Sequence, residues 1–101
     1  MKINPKLLQI KTSSLINDYY KNEIITQGSF DSLMNTSYEG NETKYYIRAT
    51  NLTNQPASAY GWLTSYYQSY NTQVQLFIAN SGKIYIRRKS GGNWSGWTTV
   101  I

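Results

Sequence analysis

The chain of 101 residues contains neither cysteine nor histidine, and these two absences exclude much of the usual chemistry of protein sites. Without cysteine there is no disulfide, no thiol nucleophile, no iron–sulfur cluster and no thiolate-bound zinc. Without histidine the chain lacks both the commonest metal ligand and the commonest general base. We therefore expect no metal and no cofactor.

Acidic residues are scarce as well: five Asp and Glu stand against ten Lys and Arg, so the net charge is +5. All five lie in the first half of the chain, at Asp18, Glu23, Asp31, Glu39 and Glu42. A glycosidase needs two carboxylates that flank the scissile bond, and no motif frames such a pair here. Since histidine and cysteine are also missing, the sequence predicts a protein that is not an enzyme.

The chain also lacks any long hydrophobic run. No stretch approaches the roughly 18 apolar residues that a membrane-spanning helix requires, so we expect no membrane insertion. The opening residues, Met1 to Pro5, do not contain the apolar core of a secretory signal.

Aromatic and uncharged polar side chains are abundant instead. Aromatic residues make up 15% of the sequence, and Asn, Gln, Ser and Thr account for 37 of its 101 residues. This aromatic content argues against disorder, and Tyr, Trp and Thr favour strands. A chain of this length is therefore expected to form one mainly β domain with a polar surface.

Short alternating segments separated by turns predict an antiparallel β domain. Strands are expected at residues 44–50, 60–67, 73–79 and 83–88, followed by a closing strand from Trp97 to Ile101. Asn80-Ser81-Gly82 has the composition of a hairpin turn with glycine in the left-handed position. Aliphatic residues of the third and fourth strands are expected to point inward, namely Val74, Leu76, Ile78, Ile84 and Ile86. The residues expected to point outward are Gln73, Gln75, Phe77, Lys83, Tyr85 and Arg87.

The first 27 residues show a different pattern, with apolar side chains near helical or heptad spacings. These side chains are Leu7, Leu8, Ile10, Leu15, Ile16, Tyr19 and Tyr20. We expect residues 1–27 to form a short helix or an extended arm that packs on a partner, and residues 28–101 to form the β domain. Ser29 is predicted to cap a short helix around residues 30–35, with Asp31 in its first turn.

A series of short motifs runs through residues 28–101 in a specific order. They are Tyr45-Tyr46-Ile47-Arg48, Asn54-Gln55-Pro56, Gly61-Trp62-Leu63, Gln75-Leu76-Phe77, Tyr85-Ile86-Arg87 and Trp94-Ser95-Gly96-Trp97. In this order and spacing they resemble the knob domain of bacteriophage tail fibres and R-type pyocin fibres. The segment Ser29-Phe30-Asp31-Ser32-Leu33 is similar to the lead-in helix of those knobs.

This resemblance implies a small antiparallel β-sheet or sandwich knob, with a short lead-in helix and an N-terminal arm or helix. It implies a virion structural protein that is made in the host cytoplasm, forms a homotrimer and binds another virion protein through residues 1–27. The knob would reach host cell-wall glycan or a teichoic-acid-like polymer. The alternative is a carbohydrate-binding module of an adhesin or cell-wall hydrolase. A nucleic-acid partner is not expected, because the basic cluster is short and no nucleic-acid motif frames it.

Aromatic and basic side chains are the candidate glycan- or phosphate-binding residues: Trp62, Tyr66, Tyr85, Arg87, Arg88, Lys89 and Trp94. Indole and phenol rings stack on pyranose rings, and Arg and Lys bind phosphate. The competing interpretation places the tryptophans in a core or subunit interface, and the basic residues on an exposed strand end where they discourage aggregation.

Trp97 is predicted to have a structural role. It begins the closing strand, and its ring is the largest available cover for Ile84, Ile86 and Leu63. Arg87 is expected to stack on an aromatic ring from a neighbouring strand. Gly61 is expected to admit a bulky side chain, that of a neighbour of Trp62 or of Trp94, against bare backbone.

Overall fold

The computed structural model describes residues 22–100, which form one seven-stranded sheet. The strands are β1 (Glu23–Ile25), β2 (Glu42–Ile47), β3 (Gly61–Ser69), β4 (Thr72–Ala79), β5 (Ile84–Ser90), β6 (Asn93–Trp94) and β7 (Thr98–Thr99). Strands β1 to β6 lie side by side in chain order, and β7 pairs with β5. Among these pairs only β1–β2 is parallel. The predicted mainly β fold is therefore confirmed.

The connection between β1 and β2 contains one turn of 3₁₀-helix, at Phe30–Ser32. Parallel strands need a long crossover, and residues 26–41 supply it. Ser29 caps the turn, because its side-chain oxygen accepts a hydrogen bond of 3.1 Å from the backbone N–H of Asp31. The predicted lead-in helix and its cap are confirmed, with the helix limited to a single turn.

Backbone hydrogen bonds join this connection to the loop between β2 and β3. The N–H of Phe30 donates to the carbonyl of Thr53 at 3.0 Å, and the N–H of Thr53 donates to the carbonyl of Gly28 at 3.1 Å. The side-chain amide of Gln55 closes the loop by donating to two loop carbonyls, at 2.8 and 2.9 Å. The two connections together form a layer that covers one side of the sheet.

The core lies between that layer and one face of the sheet, which we call the packed face. The packed face carries Ile25, Tyr45, Ile47, Leu63, Ser65, Gln73, Gln75, Phe77, Tyr85, Arg87 and Lys89. Phe30 from the covering layer is fully buried, and its ring meets Phe77 edge-on at 5.5 Å and Trp97 at 5.9 Å. Each such buried apolar side chain contributes roughly 1.5–3 kcal/mol to folding.

The opposite side of the sheet, which we call the open face, holds the remaining alternate residues. It carries Ile24, Glu42, Lys44, Tyr46, Trp62, Thr64, Tyr66, Val74, Leu76, Ile78, Ile84, Ile86, Arg88 and Thr98. Within residues 22–100 none of these side chains is fully buried.

The predicted orientation of the third and fourth strands, β4 and β5, is wrong. Gln75 and Phe77 are buried at 1% and 0% exposure, whereas Ile78 and Ile86 are 38% and 37% exposed. Val74, Leu76 and Ile84 also lie on the open face, and Arg87 lies on the packed one. The reason is that the covering layer presents both the apolar ring of Phe30 and hydrogen-bonding groups. It can therefore pack against the ring of Phe77 and form hydrogen bonds with the side chain of Gln75.

Gly61 allows β3 and β4 to approach closely. A Cβ atom at this position would lie 2.3 Å from the carbonyl oxygen of Ile78 and 2.8 Å from the ring of Phe77. The expected close approach of a bulky side chain is confirmed, but the side chain is that of Phe77 and not that of Trp94. The predicted hairpin turn is confirmed as well, because Gly82 adopts a left-handed φ of +92°.

Residues 1–21, which make up most of the predicted N-terminal segment, lie outside the described residues. The remainder of that segment contributes β1, whose three residues pair with Tyr45–Ile47 at the edge of the sheet. Ile25 packs against the core from this strand. The sheet therefore begins before residue 28.

Candidate functional site

Arg87 is the most heavily constrained of the predicted site residues. Only 4% of it is exposed. Its Nε donates to Gln75 Oε1 at 2.8 Å, and its Nη2 donates to Asp31 Oδ1 at 2.8 Å. The guanidinium also lies 4.1 Å from the ring centre of Trp94 and 4.8 Å from that of Trp97. The predicted stacking on an aromatic ring is confirmed, and the same contacts leave this cation little freedom to bind phosphate.

Burial lowers the pKa of the Arg87 guanidinium, and the hydrogen bond and charge of Asp31 oppose that shift. A buried cation is costly unless hydrogen bonds and an opposite charge compensate it. Asp31 and Gln75 supply both, one from the covering layer and one from the sheet. The arrangement therefore joins the two layers.

Gln75 is the centre of this polar network, and sequence patterning placed it on the wrong face. Its Nε2 donates to the carbonyl of Phe30 at 2.7 Å and to Ser65 Oγ at 3.1 Å. No side-chain nitrogen or oxygen buried within residues 22–100 lacks a hydrogen bond. One signal in the sequence could have indicated that Gln75 is buried. It alternates with Phe77 and Ala79 along the strand and therefore shares their face.

Trp97, which lies between β6 and β7, closes the packed face beside the covering layer. Its Nε1 donates to the carbonyl of Asn54 at 2.8 Å, and its ring packs on Phe30 and Arg87. It does not cover Ile84 or Ile86, because both lie on the open face. Trp94 is half-buried, and its ring also stacks on Arg87.

Lys89 is only 8% exposed, and its ammonium lies 3.9 Å from the ring centre of Tyr70. It lines a pocket of about 400 Å³ at the end of the packed face. The pocket is bounded by Asp31, Ser32, Met34, Thr36, Ser37, Tyr67, Tyr70, Gln73 and Lys89. We call it the Lys89 pocket.

The open face is organised in cross-strand rows. One row is wholly apolar or aromatic and consists of Ile24, Tyr46, Trp62, Ile78 and Ile84. The next contains Lys44, Thr64, Leu76, Ile86 and Thr98. The last runs from Glu42 through Tyr66 and Val74 to Arg88. A row of five strands spans roughly 19 Å at the usual strand spacing of about 4.8 Å.

The seven predicted binding residues divide between the two faces and do not form one site. Trp62, Tyr66 and Arg88 lie on the open face. Tyr85, Arg87, Lys89 and Trp94 lie on the packed face, where Tyr85 packs against Phe77 at 6.4 Å. Alternation along β5 separates Arg88 from its two basic neighbours, because successive side chains of a strand point to opposite faces.

The surroundings of Tyr45 also perturb its pKa. Burial, together with the nearby charge of Glu23, raises the pKa of the phenol to about 12. Within residues 22–100, no three acidic, histidine or cysteine side chains cluster as a metal site would require. The same part of the chain has no helix that is long and apolar enough to cross a membrane.

Comparison with known proteins gives one match. A family model described as the XkdV N-terminal domain matches residues 13–100. No match was found among curated proteins or among solved structures. The family match supports the predicted phage virion protein, but it does not extend to the knob domain of tail fibres.

Proposed function

Because this chain belongs to the XkdV N-terminal domain family and is a phage virion structural protein, we propose that it assembles with copies of itself through the open face. In this proposal the domain is a homotrimeric, non-enzymatic subunit of the virion. The observation that carries the proposal is the apolar row on the open face, which nothing within residues 22–100 covers.

The exposure of this contiguous apolar row is unusual for the surface of a soluble monomeric protein. Trp62 is 46% exposed, Ile24 is 46% exposed and Ile78 is 38% exposed. Trp62 and Ile78 are direct neighbours across the sheet, and Tyr46 lies between Trp62 and Ile24. Contiguous apolar patches of a few hundred Å² on soluble proteins commonly mark interaction sites. With the row beside it, the apolar area is on the order of 300 Å², estimated from strand spacing.

Charge at the two ends of the last row indicates which partner fits. Glu42 lies at the β2 end and Arg88 at the β5 end, with Tyr66 and Val74 between them. In a ring of copies whose open faces turn toward a common axis, the Arg88 end of one copy would meet the Glu42 end of the next. Glu42, which lies 3.5 Å from Lys44 in its own chain, would then have a second cationic partner. Head-to-tail contacts close into rings when the rotation between copies permits, and three copies make the smallest ring beyond a dimer.

The open face alone is smaller than a stable interface, which buries about 800 Å² on each partner. Residues 1–27 carry Leu7, Leu8, Ile10 and Ile16. We propose that these apolar side chains enlarge the contact between copies or bind another virion protein. Either role makes the segment part of assembly.

A fibre or knob role, host attachment and carbohydrate binding are finer proposals that remain compatible with a virion protein. The separation of the predicted binding residues between two faces does not favour the single aromatic and basic platform that a carbohydrate-binding module would need. Assembly is therefore the function that the geometry supports best.

The experiment is sedimentation velocity of the full chain at micromolar concentration, beside the variant Trp62→Lys. We expect the parent chain to sediment as a trimer and the variant to shift towards monomer, because an ammonium in the apolar row cannot be desolvated without cost. The matched control is Tyr38→Lys, which makes the same change at a 74% exposed turn residue outside the open face.

Thermal melts and circular dichroism establish that both variants remain folded. A parent chain that sediments as a well-behaved monomer would overturn the proposal. So would a Trp62→Lys variant that is folded and still trimeric, since the interface would then lie elsewhere.

A further inference from the structure

We infer that the Lys89 pocket binds a saccharide that carries one anionic group, a carboxylate or a phosphate. The pocket lies on the packed side of the sheet, away from the open face. The inference therefore does not rest on assembly, and the two can fail separately.

Lys89 provides the first argument. It is more than nine-tenths buried, and its ammonium stacks on Tyr70 at 3.9 Å. Among the interactions of residues 22–100 it has no carboxylate partner and no hydrogen-bond acceptor. The ring of Tyr70 fixes the ammonium beside the pocket, where an anionic ligand group would pair with it.

Gln73 provides a second polar group at the base of the same pocket. Its Nε2 donates to the carbonyl of Tyr70 at 3.0 Å, which orients the amide. Its Oε1 has no hydrogen-bond donor among residues 22–100, so it is available to accept one from a ligand hydroxyl. An oriented acceptor beside a cation matches a hydroxyl that neighbours a charged group.

The walls of the pocket suit a sugar ring. Tyr67 and Tyr70 supply aromatic surface, and Ser37 supplies a hydroxyl at the rim. A volume of about 400 Å³ falls within the range of roughly 300–1,000 Å³ that is typical of small-molecule sites. Aromatic walls with a few convergent polar groups are the usual composition of such sites.

The charge balance of the pocket favours an anion over a neutral sugar. Asp31 lies at its rim, but Oδ1 accepts from Arg87 at 2.8 Å and Oδ2 accepts from Asn54 at 2.7 Å. The charges of Asp31 and Arg87 therefore compensate each other. The ammonium of Lys89 is the remaining charge among the lining residues, and one negative group on the ligand would match it.

The test is a titration of the full chain, followed by ¹H–¹⁵N amide shifts, with four probes. Methyl glucuronide carries a carboxylate, glucose 6-phosphate carries a phosphate, methyl glucoside is neutral, and inorganic phosphate has no sugar ring. We expect saturable shifts at Lys89, Tyr70, Gln73 and Ser37 with one or both charged sugars, and at least tenfold weaker binding of the other two probes. A ligand of this size is expected to bind in the roughly millimolar range.

The first variant is Lys89→Met, which keeps a long apolar stem against Tyr70 and removes the charge. We expect it to weaken the charged sugar at least tenfold. Lys83→Met removes the same charge from an exposed hairpin residue and should leave binding unchanged. Tyr70→Leu, at a residue that is 72% exposed, is a second variant that should weaken binding without unfolding the chain.

Three results would overturn the inference. One is the absence of saturable shifts with either charged sugar. Another is equal binding of inorganic phosphate, which would make this an anion site without a saccharide. The last is equal loss of binding in Lys83→Met and Lys89→Met, which would assign the effect to net charge.

Discussion

The side chain of Gln75 joins the sheet to the layer that covers it. It accepts from Arg87 and donates to the carbonyl of Phe30 and to Ser65, at 2.8, 2.7 and 3.1 Å. Each of these groups would be expensive to bury alone, and removing one partner of a buried pair costs more than the net gain of making it. At the residue scale, the packed face is therefore held by polar complementarity as well as by apolar contact.

Trp97→Ala should destabilise the protein strongly. The change removes the ring that packs on Phe30 at 5.9 Å, a stacking partner of Arg87 and the donor to Asn54. Core tryptophan truncations cost about 3–5 kcal/mol, so a half-buried ring should cost about 3 kcal/mol. At about 4–8 °C per kcal/mol, the melting temperature should fall by ten degrees or more.

The comparison for this prediction is Trp94→Ala, measured in the same thermal melts. Trp94 covers Arg87 but makes no hydrogen bond through its indole N–H among residues 22–100. Its loss should cost less than about half as much as the loss of Trp97. Equal melting temperatures for Trp97→Ala and the parent chain would contradict the structural role.

Tyr45 should make the protein sensitive to alkali. Its pKa is raised to about 12 in the folded chain and is about 10 when unfolded. The folded protein favours the neutral phenol, so the stability that Tyr45 contributes is fully present below pH 10. It is lost as pH rises through 12, by on the order of 2 kcal/mol.

Chemical denaturation between pH 9 and pH 12 measures this effect. Tyr45→Phe should lose less stability over that interval than the parent chain, because it has no proton to release. Tyr38→Phe, at a turn tyrosine with 74% exposure, should follow the parent. Parallel curves for the parent and Tyr45→Phe would show that this phenol does not control the alkaline transition.

At the scale of the elements, the close contact between β3 and β4 depends on one glycine. These strands pair from Gly61–Ala79 to Ser69–Thr72, with one register shift between Tyr67 and Ser69. The ring of Phe77 lies over the bare backbone of Gly61. Phe77 on β4 can therefore be buried against β3, because residue 61 has no side chain that would displace its ring.

Gly61→Ala should separate the two strands locally. The new Cβ would meet the carbonyl oxygen of Ile78 at 2.3 Å, and backbone cannot move aside as a flexible side chain can. We expect a loss of about 3 kcal/mol, at the upper end of overpacking effects. Gly96→Ala is the matched control, because nothing lies within 4 Å of its added Cβ and its backbone is not left-handed. Similar urea midpoints for the two variants would contradict this account.

At the scale of the whole molecule, the sheet has one covered face and one open face that carries an exposed apolar row. The covering layer, made by two connections, packs on a single side. Antiparallel sheets usually present a polar outer face to water, whereas this one presents a row with no charged member. That asymmetry is the physical basis for assigning the open face to assembly.

The head-to-tail arrangement makes a charge-swap prediction. Arg88→Glu and Glu42→Arg should each weaken self-association by at least about tenfold, because each places like charges together between copies. The double variant should restore association to within about threefold of the parent. Sedimentation equilibrium at low and high salt measures both. A double variant that associates as weakly as either single change would contradict a contact between these two residues.

The sequence by itself determined the local properties of the chain. It predicted a mainly β domain, the Ser29 cap, the left-handed turn at Gly82 and the close approach at Gly61, because each depends on neighbouring residues or on the properties of one side chain. It also predicted that Arg87 would stack on an aromatic ring, but only the structure identified the rings as those of Trp94 and Trp97.

Only the tertiary structure decided which face of the sheet is covered. Alternation along β4 places Val74 and Ile78 on one face of the sheet and Gln75 and Phe77 on the other. Both faces carry apolar residues, so alternation alone does not decide which face is buried. The choice depends on Phe30 and Asp31, which are distant in sequence and bring a ring and a carboxylate to the same side. The Lys89 pocket likewise combines residues from the lead-in segment, the β3–β4 turn and β5, whose meeting depends on the crossover and strand order.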